Sequence, residues 1–199
     1  GGDSWGTPLK VFQDLRPLVE QLLPDGGAIF DPFYFTGKSK EYQQSAFGKT
    51  IIHEDIWIYL NNRDGLPEFA KAADIIITNP PFSNQIEVVE WMVTLGIPFV
   101  ALMPVQFTNN KTAKLIREHK IQTIKLDGGR IPFEDKNHVS NGSGSRDVQW
   151  YCYGLNLPAD VQYWYANKKD TMENLDKVKA LEIKCGGTLA LSKSGSLFV

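Results

Sequence analysis

Ala73-Asp74-Ile75-Ile76-Ile77-Thr78-Asn79-Pro80-Pro81-Phe82 is the stretch on which the reading of the fold turns. Its first half is a β-branched run of strand length, apolar on consecutive residues, which is the pattern of a strand buried on both faces. Its second half stops that strand. Two consecutive prolines fix φ and supply no N–H donors, so the loop offers carbonyl acceptors beside the Asn79 amide. In open α/β sheets, ligands sit at this carboxyl end of the strands.

Outward from this point the chain alternates. Leu9, Val11, Phe12, Leu15, Leu18 and Leu22 have helical spacing, with Pro17 as the expected kink or break. Ala28-Ile29-Phe30 predicts a strand, residues 31–37 a loop, Lys38 to Phe47 a short helix, and Thr50 to His53 a second strand. The stretch up to Ala72 is ambiguous. After the central strand, taken as 74–78, a helix is predicted from Asn84 to Leu95 and a strand from Pro98 to Met103. Asn110 is placed as the cap of a helix reaching His119, and Ile121 to Leu126 forms the next strand. Residues 128–146 look loop-rich, with Asn141-Gly142-Ser143-Gly144-Ser145 as a flexible tip. Val148 to Tyr153 is a late aromatic strand. The tail holds a strand at Val161 to Tyr165 and a modest helix at Thr171 to Leu181. Repeated strand–helix units predict an α/β domain, a mostly parallel sheet with helices on both faces.

At 199 residues and 42% hydrophobic, the chain suits one core-forming domain. A net charge of −2 does not resemble a simple basic nucleic-acid binder, although a local basic strip would act inside a neutral protein. Cys152 and Cys185 make no disulfide or metal framework, so free thiols in a reducing compartment are expected. His53, His119 and His138 lack ligand spacing, so no metal site is expected. No apolar run is long enough for a membrane span and no signal-peptide core opens the chain, which points to a cytoplasmic or nuclear protein. Homo- or hetero-oligomerisation is left open.

The chemistry of the Asn79 segment is that of a clamp for a flat, amine-bearing group. An exocyclic or amide nitrogen is a poor nucleophile because its lone pair is delocalised. The Asn79 side-chain oxygen and the Pro80 carbonyl can accept its two hydrogens and stabilise developing positive charge, while Phe82 stacks on the ring. The bland alternative for Asn-Pro-Pro is a surface turn. Its place behind a buried strand, with Asp31-Pro32-Phe33 ending another, favours the clamp. Gly37-Lys38-Ser39 invites comparison with a P-loop, but the signature needs a glycine where Pro32 stands.

The segment resembles the (Asn or Asp)-Pro-Pro-aromatic motif of S-adenosylmethionine-dependent amino-methyltransferases, especially the phage-like DNA adenine-N6 enzymes. Trp5-Gly6-Thr7-Pro8 before a helix is similar to that family's N-terminal motif, which contacts the methionine part of the cofactor. Asp31-Pro32-Phe33 followed by Gly37 resembles the first cofactor motif, and Glu54-Asp55 the acidic position that meets the ribose or adenine. Gly129-Arg130-Ile131-Pro132-Phe133 resembles the region where phage-like members meet nucleic acid. Phe35 departs from the family, standing where its first motif has a glycine.

The resemblance covers roughly residues 5–155. It implies a Rossmann-like methyltransferase fold with a seven-stranded sheet in a domain over 1–155, and a C-terminal extension over 156–199. It implies S-adenosyl-L-methionine as cofactor, held by Trp5, Thr7, Pro8, Asp31, Pro32, Phe33, Gly37, Glu54, Asp55 and Asn79. It implies Asn79, Pro80, Pro81 and Phe82 as catalytic residues, and DNA as partner, as a duplex with a flipped adenine or as a single strand. Arg130, Lys136 and Arg146 flank the variable loop as phosphate contacts, whereas Lys111, Lys114, Arg117 and Lys120 fit a solvated helix face. RNA adenine and protein glutamine present the same planar nitrogen. A cofactor-weak binding subunit is the alternative that Phe35 raises.

Overall fold

The central strand forms as its composition dictates. In the computed structural model, which describes residues 5–33, 37–53, 68–108, 112–127, 130–157 and 161–165, β3 (Ile75–Thr78) is buried at every position. Ile75 and Ile77 face one side of the sheet and Ile76 the other. The same alternation runs through β1 (Ala28–Asp31), where Ile29 and Phe30 part to opposite faces. In β4 (Phe99–Pro104), Val100 and Leu102 oppose Phe99, Ala101 and Met103. Each large aliphatic side chain fully buried this way stabilises the fold by roughly 1.5–3 kcal/mol.

Two helical layers cover the sheet. On one face lie α1 (Leu9–Leu22) and α2 (Lys38–Phe47), burying Val11, Phe12, Leu15, Leu18, Ala46 and Phe47. On the other lie α3 (Gln85–Thr94) and α4 (Ala113–Glu118), contributing Val88, Val89, Trp91, Met92 and Leu115. The prediction of helices on both faces of an α/β sheet is met.

The sheet includes β2 (Thr50–His53), β5 (Gln122–Asp127), β8 (Val148–Tyr153) and β9 (Val161–Tyr165), and runs in the order β2-β1-β3-β4-β8-β5-β9. It is mostly parallel. The exception is β8, which enters antiparallel between β4 and β5, with Phe99 opposite Tyr153 and Pro104 opposite Val148. From β1 the chain goes to β2 on one side, and β3 then pairs on β1's other side. That reversal makes the carboxyl ends of β1 and β3 the topological switch point, where a crevice opens in such sheets.

Three expectations are corrected. Helix α1 runs unbroken through Pro17, a buried residue on its packed face. The helix expected to be capped by Asn110 and to reach His119 spans Ala113–Glu118 with Thr112 at its cap position; Asn110 and Lys111 lie outside the described residues. Residues 128–146 are not mainly loop: β6 (Ile131–Glu134) and β7 (Ser140–Arg146) form an antiparallel hairpin, so the Gly/Ser stretch is a strand rather than a tip. The turn sits instead at residues 135–139. There the Asp135 carboxylate accepts from the backbone N–H of Asn137 (2.8 Å) and Val139 (3.1 Å), and His138 adopts φ 61°. Among the described residues no helix is long and apolar enough to cross a membrane. The helix predicted at residues 171–181, Cys185 and the side chains of Val161–Tyr165 lie outside the described structure.

Candidate active site

Strand β1 ends on Asp31, whose carboxylate is 2% exposed. Thr78 Oγ1 donates to its Oδ1 at 2.7 Å, and the Phe33 backbone N–H reaches the same oxygen at 3.3 Å. Ser39 Oγ (2.8 Å) and Gln43 Nε2 (2.9 Å) donate to Oδ2. Burial pushes the Asp31 carboxyl up to about 6, and the hydrogen bonds from Thr78, Ser39, Phe33 and Gln43 pull the other way. Burial therefore outweighs four donors. His53, ending β2, brings Nε2 to 3.8 Å from Oδ2 and to 3.1 Å from Ser39 Oγ.

One residue beyond Thr78 stands Asn79, half-buried, with an Oδ1 that is fully buried and accepts no hydrogen bond among the described residues. An orphaned buried carbonyl costs on the order of 1–3 kcal/mol, so a partner that brings an N–H there recovers that cost. Pro80 and Pro81 are buried, and Pro81 is extended (φ −60°, ψ 134°), leading into a single 3₁₀ turn at Phe82–Asn84 before α3. The Phe82 ring meets Phe133 of β6 edge to face, centroids 6.1 Å apart at 88°.

The hairpin forms a wall over this strand end. Gly6 joins it as an extra rung, exchanging backbone hydrogen bonds with Glu134 (2.7 and 2.9 Å). The Trp5 ring lies on the backbone of Gly144, where any Cβ would come within 2.7 Å of it. Glu134 Oε2 accepts from Tyr42 of α2 at 3.0 Å. The hairpin thus gathers Trp5, Tyr42 and Phe82 from three separate segments. Thr7, which follows, is 4% exposed with its Oγ1 unpaired among the described residues, and Pro8 leads into α1 in an extended conformation.

The structure gathers some of the sequence-derived residues and not others. Asp31 and Asn79 flank the switch point. Gly37 precedes α2 at φ 81°, a conformation that suits glycine, and turns the start of that helix toward Asp31 through Ser39. Pro32 is buried, and the Phe33 ring turns away to pack edge-on against Trp91 of α3, 6.3 Å between centroids. The Phe33 backbone N–H serves the strand end. Glu54, Asp55, Phe35 and Gly129 lie outside the described residues. Arg130 and Arg146 both donate to the Ser145 carbonyl, at 3.1 and 2.9 Å, and Lys136 sits exposed in the hairpin turn.

Thr78, Ser39, Gln43 and His53 were not marked as site residues by the sequence. A lone threonine closing an all-isoleucine strand was the available signal for the first; the others are visible only once the chain is folded. Beyond Phe82, a cleft of about 370 Å³ runs along the start of α3 and the segment after β4, lined by Asn84, Gln85, Gln106, Phe107 and Thr112 among others.

No protein-family model and no curated protein matches this chain. Among solved structures it is similar to the crystal structure of a type I restriction-modification system methyltransferase subunit from Streptococcus thermophilus, with a TM-score of 0.58 and 12% identity. The match covers 92% of this chain and 53% of that one, so the chain spans about half the length of that subunit. The likeness is one of fold: a mixed α/β architecture with a mostly parallel sheet between helical layers.

Proposed function

We propose that this protein is an S-adenosylmethionine-dependent amino-methyltransferase whose acceptor is the N6 amino group of adenine in DNA. The observation that carries this reading is the Asn79 Oδ1: a buried acceptor without a partner among the described residues, one residue past the Thr78 that hydrogen-bonds Asp31, on a proline-stiffened strand end. That is an environment which favours an incoming amine over an empty site. When bound, S-adenosylmethionine supplies an electrophilic methyl carbon on a sulfonium.

The chain's residues do the remainder. Asn79 Oδ1 and the Pro80 carbonyl would accept the two amino hydrogens, turn the nitrogen lone pair toward the methyl carbon, and stabilise the positive charge that would pass to the nitrogen as the C–N bond forms and the carbon–sulfur bond breaks, leaving a neutral thioether. The extra proton leaves to water after transfer. Phe82, steadied by Phe133, holds the ring in plane, and the cleft beyond it gives the nucleotide next to the target a place to lie. Trp5, Thr7, Pro8, Asp31, Pro32, Phe33 and Gly37 frame the cofactor side; Glu54 and Asp55 complete it in this reading. Arg130, Lys136 and Arg146 meet backbone phosphates.

The test is methyl transfer from tritiated donor to DNA, with RNA and a glutamine-containing protein competing in the same reaction. Asn79→Ala is expected to lower transfer at least about 100-fold with the fold intact by circular dichroism. Undiminished transfer by that variant removes the role of the clamp, and label appearing in RNA or protein instead of DNA removes the assigned acceptor.

A further inference from the structure

The backbone ladder between β1 and β3 stops early. Its last paired residues are Phe30 and Ile76, one step short of Asp31. Beyond that rung side chains take over. Gln43 Nε2, from α2, donates both to Asp31 Oδ2 (2.9 Å) and to the Ile77 carbonyl (3.2 Å), while Thr78 Oγ1 donates to Asp31 Oδ1. Both side chains are fully buried. Past the last paired residues, these two side chains connect the strand ends.

We propose that Thr78 and Gln43 are positioning residues that lock the Asp31 carboxylate to the strand end carrying Asn79, so that the cofactor side and the acceptor side of the site move as one body. The proposal rests on the methyltransferase reading above. Apolar residues of the same shape would fill the space equally well, but only donors can hold an ionised carboxylate there. Asp31 and Asn79 then cannot drift apart by the ångström that in-line transfer does not tolerate. Groups face Asp31 from three elements besides its own. Thr78 comes from β3, Ser39 and Gln43 from α2, and His53, the titratable one, from β2.

Thr78→Val keeps the volume and deletes the donor; Thr78→Ser restores it. Three measurements follow: carboxyl-¹³C NMR titration of Asp31 in the ligand-free protein, calorimetric binding of S-adenosylmethionine from pH 5 to 8, and kcat and KM for methyl transfer. Losing a donor to the ionised form moves the Asp31 titration to higher pH. The valine variant is expected to show that shift, at least 5-fold weaker cofactor binding at pH 7 and at least 10-fold lower kcat, with the serine variant close to wild type in all three. Gln43→Leu, which leaves Thr78 in place, is expected to lower kcat in the same direction and stands in if the valine variant does not fold.

An unmoved titration, or a shifted titration with unchanged binding and kcat, overturns the positioning role while leaving the methyltransferase reading intact. Wild-type protein that shows the Asp31 titration but neither binds S-adenosylmethionine nor transfers a methyl group overturns that reading, and the positioning role with it.

Discussion

A carboxylic acid with an elevated folded-state pKa imposes a definite pH dependence on folding. Asp31 titrates at 3.8 in the unfolded chain and at about 6 when buried. The folded state therefore holds the extra proton between those values. Its stabilising contribution is fully present below 3.8 and is lost as pH rises through 6. A separation of about two units corresponds to about 3 kcal/mol over the whole window, and roughly half of that, ~1.5 kcal/mol, falls between pH 5 and 7.5. Because the carboxylate is 2% exposed, solvent does little to screen this effect.

Asp31→Asn preserves the shape and removes the titration. Urea unfolding, followed by tryptophan fluorescence at constant ionic strength, reads the difference. With a slope of about 2 kcal/mol/M, wild type should lose about 0.7 M of urea midpoint relative to the variant between pH 5 and 7.5. Asp14, also raised by burial, contributes in the same direction in both proteins and cancels in the comparison. The offset between the two proteins includes the asparagine amide facing donors such as Gln43, so the slope carries the test. Parallel pH profiles for wild type and variant would refute the claim that burial outweighs the donors around Asp31.

Two further outcomes follow from other parts of the fold. Gly144→Ala forces a methyl group into the Trp5 ring, and the displaced ring should cost about 1–3 kcal/mol in chemical denaturation while weakening cofactor binding more than a surface substitution would. Cys152 is buried in β8 with its thiol pKa raised by burial; in a Cys185→Ser background it should resist disulfide-exchange labelling in buffer and react fully in denaturant.

Much of this architecture was legible because the signals are local. Ile75, Ile76 and Ile77 declare a strand buried on both faces without reference to anything distant, and the helix expected over Lys38 to Phe47 forms over those residues. What failed to show depends on partners far along the chain. Asn141-Gly142-Ser143-Gly144-Ser145 has the composition of a mobile tip, yet small residues are what an aromatic ring needs beneath it, and Trp5 supplies that ring. Pro17 reads as a break because a proline lacks one donor, but a packed helix face compensates for a single lost bond. The site was half visible. Asn79-Pro80-Pro81-Phe82 and Asp31 announce themselves in the sequence, whereas Gln43 becomes relevant only when α2 is laid across the ends of two strands.

The rung between Gly6 and Glu134 sets an order of events for a chain made from its amino end. Trp5 and Gly6 emerge well before β6 and β7, and their seat is built only after those strands have been synthesised and have paired. Closing so long a loop is entropically slow, so this stitch should be among the last to form. A nascent chain halted before Ile131 would carry the Asn79 strand end without the wall beside it, leaving Phe82 uncovered to solvent and to other chains.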